Sequence, residues 1–596
     1  MDNQRNLLLA VVLCGLILIG WDTATRFLYP DVTGTTQADR VDDPAQRAQV
    51  RQADGTAPAG TAAVPAGDIE GTTTVVPVTL DGALGAAGRV PIDAPEVSGS
   101  LNSVGARIDD ITLKTHRQEV EKDSGPIRLF APQGTDVQQF AKFGFLVDGQ
   151  RIADDTQWQV DGDRLTQETP VTLRYRSDGG QSFAIRFEID EHYMITATQT
   201  AANTGQGAMV VQPFAYVART STTASADQWL VHSGPIGAFG GSVDFSNDYD
   251  DVQEAGQVTP EGNVDWLGFT DIYWLSTLIP QDGAAVDGEF TSLGNDLYRA
   301  DLVYEPVTVA AGQQVTRTTR LFAGAKESAI LSQYEAAGVT KFDNSIDWGW
   351  FSVLAKPIWW LLTHLFDLVK NFGVAIILMT LLIRLVLFPI AQKQFSSMAA
   401  MRAIQPKMKA VQEKYKDDKQ KQQQEIMALY KKEKVNPLAG CLPLLIQIPI
   451  FFALYKVLYL AIEMRHQPFA LWIRDLSAPD PAHILNLFGL LPFEVPGLLA
   501  IGPLAVLLGI SMWLTFRLNP TSMDPMQQQI FAIMPWILMF VMAPFAAGLL
   551  IYWITNNVLT LTQQSYLYSR HPQLKAQAAK NKEDRERAKE REAKGA

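Results

Sequence analysis

Residues Phe372 to Ala391 read FGVAIILMTLLIRLVLFPIA. At a rise of ~1.5 Å per residue, a stretch of this length matches the ~30 Å hydrocarbon core of a bilayer. It carries one full charge, Arg384. An arginine at the centre of a span costs about 2.5–3.5 kcal/mol on insertion scales. Two readings follow. Arg384 lies little more than one turn before Pro389 and ahead of Lys393, so its long stem could snorkel to the headgroups. Alternatively it faces a wet cavity among helices and meets acidic or polar groups of something passing through; intramembrane ionisable residues favour this second reading.

The chain around this stretch has 596 residues and a net charge of −13. It divides into a polar, acidic half to about residue 345 and a half dominated by long apolar runs. Its seven His and two Cys leave little for a metal site. Cys14 and Cys441 fall in or beside apolar runs, so no disulfide framework is expected. H-E-x-x-H, P-loop and G-x-S-x-G patterns are absent from the polar half, and no nucleotide or other cofactor motif stands out, so neither an enzyme nor a cofactor protein is expected.

Upstream, Leu7 to Gly20 form an apolar run after Arg5. The residues that follow, from Trp21 to Phe27, make a poor signal cleavage site. Residues 1–30 are therefore read as an uncleaved transmembrane anchor. Residues 31–88 are rich in Ala, Gly, Thr, Pro and Asp, a composition that buries too little surface to offset ordering entropy; a flexible linker is expected.

Between 89 and 340 the pattern has period two. Val171, Leu173 and Tyr175 alternate with polar residues, Asp178-Gly179-Gly180 supplies a turn, and Phe183, Ile185, Phe187 and Ile189 alternate again. This predicts a hairpin. Leu302 to Leu321 repeats the style around Ala311-Gly312. Such strands suffice for a large β-sandwich. Gly234 to Gly241 is Gly-rich without the dinucleotide spacing and reads as a loop.

Residues 345–370 carry a helical stripe of Phe351, Leu354, Ile358, Leu362, Leu365 and Val369, decorated by Trp348, Trp350, Trp359 and Trp360. This predicts an amphipathic helix lying in the membrane interface. The span 371–391 follows. Residues 392–437 then hold eleven Lys/Arg against five Asp/Glu, with a turn expected at Tyr415 to Asp418. They predict a cytoplasmic helical hairpin of net +6. Further spans are expected at 438–462, 498–517, 528–543 and 548–568, with 463–497 as an external loop. Within 438–462, Gln447 either bonds another helix or lines the cavity. The tail 569–596 is basic, with net +4 from Arg570 onward, and belongs inside. Hairpin and tail leave −23 for the rest of the chain. The expected fold is a polytopic α-helical membrane protein with six transmembrane helices, an inserted β-sandwich domain (residues 31–345 outside, in the periplasm) and a cytoplasmic C-terminus.

Four stretches are distinctive: Asn436 to Phe451 (NPLAGCLPLLIQIPIF), Pro468 to Ser477 (PFALWIRDLS), Asp524 to Gln528 (DPMQQ), and Gly548 to Trp553 (GLLIYW) with Asn556-Asn557. They resemble the signature of YidC-type membrane protein insertases over about 345–570, and the β region resembles the periplasmic domain of Gram-negative members. The resemblance implies that five helices form the core. It implies a hydrophilic groove open to cytoplasm and lipid, with the family's arginine on Arg384, its threonine on Thr380 and its aromatic on Trp553. Gln447 and Asn556 join this expected groove. The resemblance also implies location in the bacterial inner membrane, nascent membrane proteins as substrates, contact with membrane lipids, and no DNA. The implied partners are the Sec translocon, the ribosome and the signal-recognition pathway, through the hairpin 392–437 and the tail 569–596. Two departures stand out. Ala546-Ala547 replaces a common proline before Gly548, leaving the tightness of that turn open. The segment 488–503, with Pro492, Pro496 and Pro503, is long and is expected to be an extra interfacial piece. The rival reading is a transporter that binds a small anionic solute at Arg384; it would call for repeated halves, and none is seen.

Overall fold

The computed structural model describes residues 78–121, 123–225, 231–281, 283–392, 404, 407–408, 410–416, 418–433, 442–488, 491, 500–518 and 525–570. The expected anchor 1–30, the linker as far as residue 77, most of the segment 488–503 and the tail beyond residue 570 lie outside them. Contacts divide the chain into two units, one essentially up to Trp350 and one from Phe351.

The first unit is a sandwich of two antiparallel sheets. Among the described residues, one sheet has eleven strands, with Arg107–Arg117, Gln139–Val147, Met209–Thr220, Leu297–Tyr304 and Val286–Gly294 at its middle. The other has nine, running from Ser242–Asp244 through Gln314–Ala325 and Met194–Asn203 to Gln159–Asp161. Period-two side chains meet between them. Phe143 sets its ring edge-on to Phe187 at 5.4 Å, and Phe269 meets Phe290 at 6.3 Å. Burying each such ring stabilises by about 1.5–3 kcal/mol. Gln199 Nε2 donates to Gly144 O at 2.7 Å, satisfying polar atoms inside the core.

The hairpin forms as the pattern predicts. Val171–Arg176 pairs with Gln181–Ile189 in the register Tyr175 to Phe183, and Gly180 takes φ +84° in the turn. Two expectations are corrected. The Gly-rich stretch is not a loop: Gly234–Phe239 is a fully buried strand paired with Val264–Thr270, and only Gly240 and Gly241 turn. Gly237 is needed for closeness, because a Cβ there would sit 2.4 Å from the Phe239 ring and 2.9 Å from Trp266 O. Nor do Leu302 and Leu321 share a hairpin. Leu297–Tyr304 lies in the eleven-stranded sheet and Gln314–Ala325 in the nine-stranded one, so the turn at Gly312 carries the chain between sheets. Among the described residues, three short α-helices also belong to this unit: α1 (Leu80–Leu84), α2 (Tyr249–Ala255) and α3 (Ser328–Ala336).

The second unit is helical: α4 (Ser352–Val369), α5 (Phe372–Val386), α6 (Lys419–Lys432), α7 (Leu442–Leu460), α8 (Pro503–Leu518), α9 (Pro525–Met542) and α10 (Ala547–Arg570). Helix α4 buries Ala355, Ile358, Trp359 and Leu362 and leaves Trp360 and Leu368 exposed. Phe366 stacks on Phe372 of α5 at 3.9 Å. Among the described residues, no helix is long and apolar enough to cross a membrane. Helix α5 has fifteen residues where a twenty-residue helix was expected, and its C-cap is Leu387. Pro389 explains the stop: it has no N–H for Leu385 O, and its ring crowds that carbonyl. Residues 388–392 then turn helical again. In the basic segment, α6 folds back after a turn at Tyr415 and Lys416. Lys407 pairs with Glu433 at 2.7 Å, and Gln422 donates to Gln412 O at 2.8 Å.

Candidate functional site

Helix α5 enters the helical unit on a close approach. Asn371 caps it by accepting from Val374 N at 3.0 Å, and Asn371 Nδ2 donates to Phe469 O at 2.9 Å. Two positions on, Gly373 lies against the Phe469 ring, where a Cβ would be 2.0 Å from ring carbon Cδ2. Thr380 follows two turns on, buried, with its hydroxyl donating to Ile376 O at 2.6 Å. One turn further is Arg384. A spacing of four places both on one helix face.

Helix α10 supplies the facing wall. Its start is held by the loop carrying the PFALWIRDLS stretch: Ala547 N donates to Ala478 O at 2.8 Å and Gly548 N to Leu476 O at 2.9 Å. Two backbone bonds thus close the turn that lacks the proline. Within that loop, Asp475 accepts from Ser477 N at 2.8 Å and from its hydroxyl at 2.6 Å. Deeper in the helix, Asn557 Nδ2 donates to Ser511 Oγ on α8 at 2.9 Å, tying α10 in place.

Between these walls is a recess that opens to solvent. Thr380, Ile383 and Arg384 line it from α5, with Leu387, Ile390 and Ala391 beyond; Gln447 and Ile450 come from α7, and Tyr552 and Asn556 from α10. Arg384 is half-buried at its edge. Its Nε and Nη2 donate to Asn556 Oδ1 at 2.9 and 2.7 Å, and Nη2 also donates to Thr560 Oγ1 at 2.6 Å. Thr560 in turn donates to Asn556 O at 2.7 Å. Gln447 Nε2 donates to Tyr552 Oη at 2.6 Å, so Gln447 both bonds a neighbouring helix and lines the recess. Among the described residues, no carboxylate pairs with Arg384, and its Nη1 has no hydrogen-bond partner. The recess therefore offers a cation, two amide side chains and the hydroxyls of Thr380 and Tyr552 beside an apolar wall of Ile383, Leu387, Ile390, Ala391 and Ile450. Among the described residues there is no group of side chains that could hold a metal ion.

Four of the five residues picked from sequence, Thr380, Arg384, Gln447 and Asn556, meet at this recess. The fifth, Trp553, does not line it: its ring packs on Phe451 at 5.1 Å. Tyr552 takes that place, and Thr560 was missed altogether. Counting in fours from Asn556 would have found both, since Tyr552, Asn556 and Thr560 share one face, whereas Trp553 is rotated by about 100°.

Comparison with known proteins bears on what such a site serves. A family model described as 60Kd inner membrane protein matches residues 364–578, and one described as YidC periplasmic domain matches residues 89–361. The membrane protein insertase YidC of Zymomonas mobilis subsp. mobilis is 42% identical over 576 residues, covering 96% of each chain. That of Mesorhizobium japonicum is 42% identical over 582 residues with the same coverage. A crystal structure of an active YidC insertase with its first transmembrane domain resolved is 19% identical, covers 81% of this chain and 93% of its own, and has a TM-score of 0.36. The sequence relatives define a membrane protein insertase of the inner membrane with a periplasmic domain, a class that is not enzymatic. The chain belongs to the YidC family. The transporter reading has no support among these relatives.

Proposed function

We propose that the recess around Arg384 is where a nascent segment is received on its way into the inner membrane. The observation that carries this is a half-buried guanidinium whose Nη1 has no partner among the described residues, facing two amides, in a helical unit rich in apolar surface. A polar or acidic flank entering such a recess keeps part of its solvation, which lowers the several-kcal/mol cost of carrying it into hydrocarbon. Arg384 pairs transiently with an Asp or Glu of that flank, Thr380 and Gln447 keep the recess wet, and Asn556 sets the arginine's position. Transfer of the roughly 20-residue apolar segment into lipid, at about 25 cal/mol per Å² of apolar area, then drives release without nucleotide hydrolysis.

The substrates in this reading are nascent membrane proteins, a reading supported by the relatives being named membrane protein insertases. The six-span topology, the cytoplasmic hairpin and C-terminus, and contact with lipids, ribosome, signal-recognition pathway and Sec translocon belong to the same proposal. The charge distribution supports it: +6 on residues 392–437 and +4 on the tail. The test is insertion of a single-span substrate with an acidic translocated flank into proteoliposomes. Arg384→Ala, folded normally, is expected to lose most of that insertion while a substrate with a neutral flank still inserts. Full insertion of the acidic substrate by this variant overturns the proposal.

A further inference from the structure

A guanidinium has five N–H bonds. In Arg384 those of Nε and Nη2 are committed to α10: Nε and Nη2 share Asn556 Oδ1 at 2.9 and 2.7 Å, and Nη2 also reaches Thr560 Oγ1 at 2.6 Å. The Nε/Nη2 edge is one at which a carboxylate docks with two parallel bonds. Asn556 Oδ1 stands where a carboxylate oxygen would stand. At the other edge, Nη2 is already engaged by Thr560. An arriving carboxylate thus finds only Nη1 open among the described residues and must displace Asn556 or Thr560 to gain a two-point grip.

We propose that Asn556 is a built-in competitor for the substrate's carboxylate, a positioning residue that weakens the grip of Arg384 enough for release. The inference rests on the reading of Arg384 as the carboxylate's partner. The chemistry of the side chain fits the role. An amide oxygen is a good acceptor with no charge, so a carboxylate outcompetes it, yet a carboxylate that takes the Nε/Nη2 edge has first to break its bonds. Aspartate at this position would pair with Arg384 permanently and remove the receptor. Alanine would free Nε and leave Nη2 on Thr560 Oγ1 and on the backbone oxygen of position 556. Thr560 holds the competitor in register, since its hydroxyl donates to Asn556 O while accepting from Arg384.

The test uses the full-length protein in proteoliposomes, with a photocrosslinker at position 387, on the recess wall. Ribosome-bound single-span chains carry either Asp or Asn in the translocated flank. The lifetime of the crosslinkable complex is compared between the two flanks. Asn556→Ala is expected to lengthen the dwell of the Asp-flanked chain by roughly five- to tenfold, the effect of losing one hydrogen-bonded competitor, and to leave the Asn-flanked chain unchanged. Asn556→Asp, which has the same size and so preserves packing, is expected to erase the difference between flanks, as Arg384→Ala does. Equal changes for both flanks in Asn556→Ala, or retained discrimination in Asn556→Asp, overturn the competitor role alone. A wild-type protein that treats both flanks alike overturns the carboxylate reading of Arg384, and this inference with it.

Discussion

Arg384 and Asn556, 172 positions apart in sequence, are joined through both the side chain and the backbone of the asparagine: Nε and Nη2 of the arginine donate to Oδ1 at 2.9 and 2.7 Å, and Nη2 also donates to the backbone oxygen at 3.3 Å. The pair links α5 to α10 across the recess, so the cation's direction is set by a neutral partner and its charge stays available. Charge-assisted hydrogen bonds contribute about 1.5–3 kcal/mol each. Arg384→Lys keeps the charge but loses the planar fork. Insertion of acidic-flank substrates by that variant is expected to fall roughly tenfold, between wild type and Arg384→Ala, as read from protease-protected product.

The second link across the recess is Gln447 to Tyr552 at 2.6 Å. Tyr552→Phe keeps the ring and removes the acceptor, and Gln447→Ala removes the donor. Each is expected to cost about 1 kcal/mol of stability in detergent. Because both changes break one bond, the double variant should cost little more than either single one; additive losses in the thermal unfolding cycle would show that the bond contributes nothing.

Gly373 is held against Phe469 so closely that even a methyl group overlaps the ring, at 2.0 Å. Gly373→Ala is therefore expected to destabilise the helical unit by about 1–3 kcal/mol through overpacking. Combining it with Phe469→Leu, a smaller and more pliable side chain, should recover part of the loss in the same unfolding measurement. Alanine alone with an unchanged melting point would rule out this close approach.

In the β unit, Glu289 is buried on the strand beside Asp301. Burial first, and then the Asp301 carboxylate, push its carboxyl up to about 7 from 4.5. The folded state therefore holds this proton more tightly than the unfolded chain. The associated stability is fully present below about pH 4.5 and is lost as pH rises through about 7, an effect on the order of 2 kcal/mol. Glu289→Gln should flatten stability across that window and raise it above pH 7, as followed by tryptophan fluorescence of the β unit in the full chain.

Where the chain obeys one local rule, its structure was legible in advance. The 171–189 hairpin follows from alternation plus an Asp-Gly-Gly turn, and its register follows from the burial of Phe183, Ile185 and Phe187. Gly234–Phe239 reads as a loop in sequence because glycine conceals strand propensity, and the need for Gly237 is set by Phe239 and the partner strand at Trp266. The change of sheet at Gly312 is likewise non-local, since a period-two pattern does not say which sheet a strand joins. At the recess, a charge inside an apolar run marked Arg384, whereas Thr380 one turn earlier was implied by the resemblance to YidC-type insertases. The facing wall depends on the rotation of α10, where one residue of phase separates Tyr552 from Trp553.

The most direct measurement is photocrosslinking from position 380 to a stalled nascent membrane protein with an acidic flank, on the full-length protein, in wild-type and Arg384→Ala backgrounds. The account predicts a strong crosslink to the nascent segment that weakens by roughly tenfold when the arginine is removed, in line with the loss of one charge-assisted bond. A folded, ribosome-engaged protein that gives no nascent-chain crosslink from this position, or one indifferent to Arg384, would contradict it.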